Sequence, residues 1–188
     1  CEGNPDSPQS VVYDMSEKKL GSELLTTGDL EIWSSDSAVT GWSYDGVLSK
    51  ESGARTGGSG SYYAKLVDDS GGADQFQSPV WTTVTGKTYR LSFWYRSAGG
   101  GDYSVIEGDG SGLNSWSYTS HGMTDTSGDW AEAVNYYTEL SGGASARLRF
   151  RAGSGKDIDD VSVKEVLMGN HATTVFYGNE LIDEINNR

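Results

Sequence analysis

Apolar and polar residues alternate with a period of two along much of this chain, most clearly at 89–96. There Tyr89, Leu91, Phe93 and Tyr95 alternate with Arg90, Ser92, Trp94 and Arg96. Successive side chains of an extended strand point to opposite faces. The first set therefore predicts a core face and the second an outward one. Shorter runs of the same kind predict strands over 29–33, 39–44, 61–67, 74–78, 89–97, 103–106, 115–119, 130–139, 146–152 and 157–166. Turn-rich segments at 56–60, 70–72, 99–102, 108–112 and 153–156 separate them. Short strands in this number, without a blade-length repeat, predict an all-β fold. The expected architecture is a two-sheet antiparallel β-sandwich of jelly-roll type with extended N- and C-terminal arms.

Residues 1–20, with Pro5 and Pro8, read as an arm or linker carrying a short edge strand at 11–13. Residues 21–167 form the predicted sandwich, and 168–188 a C-terminal arm or the start of a following module. The stretch Leu20-Gly21-Ser22-Glu23-Leu24-Leu25 is echoed by Tyr177-Gly178-Asn179-Glu180-Leu181-Ile182, as in an array of modules. An initial Cys1 is expected of a processed product, a fragment or a lipidated lipoprotein.

Composition narrows the function. Of 188 residues, 26 are Gly, 11 Tyr and 6 Trp, which suits strands and loops rather than long helices. The net charge of −13 opposes a nucleic-acid partner, which needs a concentrated basic surface. No apolar run approaches the ~20 residues of a membrane-spanning helix. A single cysteine excludes an intrachain disulfide and a cysteine-based zinc site. His121 and His171 fall in predicted loops without motif partners, and Gly57-Gly58-Ser59-Gly60 lacks the Lys-Ser/Thr ending of a phosphate loop. The expectation is a protein that is not an enzyme.

Three segments occur in an order that resembles a known family: GSELLTTGDLE with Trp42 downstream, QSPVWTTVTGKTYRLSFWYR, and ARLRFRAGSGKDIDDVSVKEV. Over about residues 21–166 they are similar to non-catalytic carbohydrate-binding modules of the galactose-binding-like jelly-roll superfamily, near its xylan- and glucan-binding groups. Members also serve in adhesion, structural and phage-particle roles. The resemblance implies a structural Ca2+ between the first and last strands, at Glu31 with Asp159 or Asp160. It also implies packing roles for Trp42 and Trp130, an extracellular or virion or cell-surface location, and a glycan or polysaccharide partner.

The outward residues Arg90, Trp94 and Arg96 are the first candidates for ligand contact. ARLRFRA repeats the alternation, so Arg147, Arg149 and Arg151 are expected to continue the same sheet face. Flat aromatic rings suit the C–H face of a sugar, and guanidinium groups suit hydroxyls, carboxylates or sulfates. Tyr103, Trp116 and Tyr118, beside the 108–112 loop, form a second candidate platform. Three readings of the arginine face stand at this point: a ligand site, internal ion pairs with acids such as Glu132 or Glu139, or a contact with a neighbouring copy or adjoining module. A structural repeat or decoration domain of a virion, fibre or cell-surface assembly, joined to its neighbours through the arms, is the alternative to a glycan-binding module.

Overall fold

The structure, a computed structural model, describes residues 19–53, 55, 57, 58, 60–67, 75–108, 118–140, 142, 144–151 and 155–167, with backbone alone at 107, 108, 118 and 119. The strands are β1 (Lys19–Glu23), β2 (Trp33–Ser35), β3 (Ala38–Val39), β4 (Ser43–Asp45), β5 (Val47–Ser52), β6 (Tyr62–Val67) and β7 (Gln75–Gln77). They continue with β8 (Trp81–Thr82), β9 (Thr88–Ser97), β10 (Gly101–Gly108), β11 (Tyr118–Met123), β12 (Ala131–Thr138), β13 (Ser145–Arg151) and β14 (Lys156–Leu167). The first sheet has the order β12-β9-β14-β6-β5, with β1 also on β14. The second has the order β11-β10-β13-β7-β4, with β8 also on β13. β2 and β3 form a separate antiparallel pair. This is the expected two-sheet antiparallel sandwich.

The alternating pattern closes the sandwich. Leu91 and Phe93 on β9 face Leu148 and Phe150 on β13 across the sheets, and all four are buried. Phe93 meets Phe150 edge-on at 4.9 Å between ring centroids. Burying one such ring stabilises the fold by roughly 1.5–3 kcal/mol. Trp42 stacks on Phe76 at 4.4 Å, which matches its expected packing role.

Trp130 does not take the interior place expected of it. It lies against Tyr63, edge-on at 5.4 Å, and Arg96 reaches over both rings. Tyr63 and Arg96 belong to the outer face of the first sheet, so Trp130 packs outside that sheet.

Three strands went unforeseen, the two-residue β8 among them. β5 reads VLSKES and buries only Leu48 fully, as an edge strand that covers one flank of β6 needs to. β1 reads KLGSE and is held by backbone pairing on β14 rather than by an apolar pattern. The strand expected at 29–33 is instead a turn ahead of β2. β14 carries an irregularity between Asp159 and Ser162 in its pairing with β9. Asp160 takes a left-handed φ of 47° there, and the Val161 N–H donates to the Gly28 carbonyl at 2.7 Å. A Cβ at position 28 would overlap the Val161 carbonyl, so glycine is required for the turn to seat against this irregularity. The expected arm 1–20 falls almost wholly outside the described residues, as do the echo at 177–182 and the arm 168–188.

Candidate functional site

The outer face of the first sheet presents Arg90, Ser92, Trp94 and Arg96 on β9, as the alternation predicted. Each guanidinium on it is already engaged. Arg96 Nε pairs with Asp157 at 2.5 Å, an Arg96 terminal amine donates to Tyr63 Oη at 2.8 Å, and its plane lies about 5 Å above the rings of Tyr63 and Trp130. Arg90 donates to Ser92 Oγ at 2.8 Å and lies 3.5 Å from Glu132. Trp94 is covered by Arg55, whose guanidinium carbon lies 3.8 Å from the ring centroid while its amine pairs with Asp160 at 2.5 Å. Sequence reasoning passed over Arg55 because it stands alone in a Gly/Ser/Thr-rich turn.

Asp159 sits opposite Trp94 and is 1 % exposed. Burial, and then the neighbouring charge of Asp160, pushes its carboxyl up to about 7; the Asp160 N–H and the Arg55 charge oppose the rise only in part. Glu31 Oε1 accepts the Ser61 and Tyr62 N–H groups at 2.8 and 2.9 Å, fastening the turn that carries Arg55. The three residues expected to hold calcium thus lie near one another, but their oxygens serve other partners. Calcium needs ~6–8 oxygen ligands. Among the described residues no three acids or histidines are grouped to hold a metal. As arranged, this donor set serves the guanidinium of Arg55 and backbone N–H groups.

Arg147, Arg149 and Arg151 do not continue that face. β13 lies in the opposite sheet, between β10 and β7. Any strand with one face on the core alternates in the same way, so alternation assigns a face but never a sheet. The two sets of arginines consequently point away from each other, on opposite outsides of the sandwich. Around β13 the outward neighbours are Gln75 and Gln77 on β7 and Asp102, Ser104 and Ile106 on β10. Arg147 donates to Gln77 Oε1 at 2.6 Å, and Gln77 Nε2 donates to Gln75 Oε1 at 3.0 Å. Arg149, 2 % exposed, donates from Nε to Ser104 Oγ at 3.1 Å. Arg151 Nε stands 4.0 Å from Asp102. Among the described residues the Nε groups of Arg147 and Arg151, like that of Arg55 on the first face, are shielded from water and make no hydrogen bond. Burial lowers the pKa of Arg147. Gln75 and Gln77 were legible in the sequence as the polar flanks of Phe76, but no argument had singled them out.

Tyr103 belongs to the interior, which corrects its place in the expected platform. Its pairing opposite Phe150 puts it on the core side of β10, where it is 4 % exposed and lies edge-on to Phe93 at 4.7 Å. Asn135 Nδ2 donates to Tyr103 Oη at 3.2 Å and lies 2.8 Å from His121 Nδ1, whose ring stacks on Tyr103. Burial raises the Tyr103 phenol. Trp116 lies outside the described residues. The Tyr118 backbone pairs with Ile106, and its side chain lies outside them.

No protein-family model and no curated protein matches the chain. Solved structures do. The CBM22-1 xylan-binding domain of Paenibacillus barcinonensis Xyn10C matches with a TM-score of 0.55 at 16% identity, over 80% of this chain and 99% of that one. The fold is that of a carbohydrate-binding-module jelly roll. A cyclase from Fischerella sp. TAU shares it, with a TM-score of 0.59 at 11% identity over 77% of this chain and 96% of that one. So does the enzymatically active domain of bacteriophage CBA120 tailspike protein 4, with a TM-score of 0.63 at 15% identity over 77% of this chain. The match spans 21% of the tailspike chain. The likeness therefore covers binding modules, a cyclase and part of a tailspike, and function has to be argued from side chains.

Proposed function

We propose that this chain is a non-catalytic carbohydrate-binding module of an extracellular or particle-surface protein, taking a polysaccharide across the outer face of the second sheet. The observation that carries this is the row of Arg147, Arg149 and Arg151 beside Gln75, Gln77 and Ser104, in which Gln75, Gln77, Arg147 and Arg151 are all partly exposed. Guanidinium and carboxamide groups offer fixed donors and acceptors for sugar hydroxyls. The xylan-binding fold match supports the reading. The cyclase and tailspike matches weigh on the other side. Against a catalytic role stands the interior, where Phe93, Tyr103 and Phe150 fill the space between the sheets.

A glycan array probed with the full chain tests this. Saturable binding is expected, and Arg147→Ala with Gln77→Ala should abolish it; an array without any saturable signal overturns the reading. The second reading, a structural domain of a virion, fibre or cell-surface assembly, is favoured by the tailspike match and by the internally paired first sheet. It predicts concentration-dependent assembly in size-exclusion chromatography and no glycan signal.

A further inference from the structure

We infer that the face around β13 is built for glycans carrying scattered carboxylates, such as a uronate-substituted xylan, rather than for a wholly neutral chain or a densely charged one. This rests on the carbohydrate-binding reading and deepens it.

A neutral sugar asks only for hydrogen bonds, which amides and hydroxyls supply without the cost of desolvating a charge. Here the central strand carries arginine at three successive outward positions, about 7 Å apart along an extended strand, with Arg147 and Arg151 partly exposed and Arg149 buried between them. Arg147 is the clearest case. Its hydrogen-bond partner on β7 is the neutral Gln77, it makes no ion pair among the described residues, and burial lowers its pKa. Buried guanidinium groups are stabilised by planar anions that accept two parallel hydrogen bonds, and a uronate carboxylate is such an anion. Arg151 is the more open of the set, with a side chain 43% exposed and a carboxylate, Asp102, at 4.0 Å.

Charge sets the upper limit. Asp102 and the exposed Asp45 border the row, and the whole chain carries −13. Over a Debye length of about 8 Å at physiological salt, the local arginines dominate what a single carboxylate feels. A long, densely sulfated polymer extends past that range and meets the excess of acids. Isolated carboxylates on a mostly neutral backbone satisfy both conditions.

The experiment compares glucuronate-substituted xylan, the same polymer after carboxyl reduction, and heparin, by calorimetry on the full chain at 50 and 500 mM salt. The expected result is binding to the acidic xylan about tenfold tighter than to its reduced form, the difference shrinking at high salt, and weak binding to heparin. Arg147→Gln with Arg151→Gln should erase the difference between the two polymers. The polymer comparison on the unaltered protein decides even where that variant folds poorly. Equal affinity for both xylans overturns this inference and leaves the carbohydrate-binding reading standing. Tightest binding to heparin also overturns it, and so does binding to none of the three, which leaves the carbohydrate-binding reading to the glycan array.

Discussion

The two outer faces of this sandwich carry arginines on strands of the same alternating pattern and use them in opposite ways. On the first sheet Arg55, Arg90 and Arg96 each meet a carboxylate, and two of them also lie over aromatic rings. On the second, Arg147 meets an amide, Arg149 a hydroxyl, and Arg151 stands 4.0 Å from Asp102. The first arrangement is a polar layer that staples turns to a sheet; the second, on the proposed function, is the face that meets a group from outside. Perturbing the first face should therefore cost stability, and perturbing the second should cost binding.

The largest effect is expected at Asp159. Its carboxyl is raised to about 7, by burial first and by the Asp160 charge second. A carboxyl that holds its proton more tightly when folded than when unfolded weakens the fold wherever it must ionise. The penalty is absent below about pH 4, grows between about 4 and 7, and is complete above 7. Its upper bound is about 4 kcal/mol. Asp159→Asn removes the ionisation, so urea melts should find the variant more stable than the parent at pH 8, with the advantage fading toward pH 4. A variant less stable at pH 8 would mean that the Asp159 charge is held by a cation. Calcium then becomes the candidate, and the same melts with EDTA and with added calcium, expected to be indistinguishable, would separate.

Next in size is Trp94→Ala. The ring is half-buried beneath Arg55, so its loss removes apolar contact and a cation–π partner together. The expected destabilisation is about 2–3 kcal/mol by chemical denaturation. Glycan affinity, measured where the variant is folded, should stay unchanged. Lost binding with unchanged stability would reverse the roles assigned to the two faces.

Much of the fold was legible because burial imposes a period of two. Tyr89, Leu91, Phe93 and Tyr95 had to face the core, and they do. What alternation lacks is any label for the sheet, which is why β9 and β13 were read as neighbours when they lie across the core from each other. β1 and β5 escaped because edge strands bury little. Tyr103 was misplaced because its exposure depends on pairing with Phe150, a long-range register that local sequence does not encode. The engagement of Trp94 by Arg55 is hidden for the same reason, since Arg55 and its partner Asp160 are 105 residues apart in sequence.

The smallest change in stability should come from Asp102→Asn, and it divides the two faces most finely. Asp102 and Arg151 are 4.0 Å apart with side chains 31% and 43% exposed, a geometry in which an ion pair contributes little. The melting midpoint should move by less than about 0.5 kcal/mol equivalent. Binding should respond in the opposite sense to an ordinary site mutation. Removing the carboxylate paired with Arg151 frees a guanidinium for an incoming anion, so affinity for an acidic glycan should rise two- to threefold, about 0.4–0.7 kcal/mol. On the first sheet the equivalent change, Asp157→Asn beneath Arg96, strips a partner from a half-buried stack and should lower stability without any gain in binding. If Asp102→Asn weakens glycan binding instead, the Arg151–Asp102 pair is itself the recognition element, and the second face works by fixed geometry rather than by free charge.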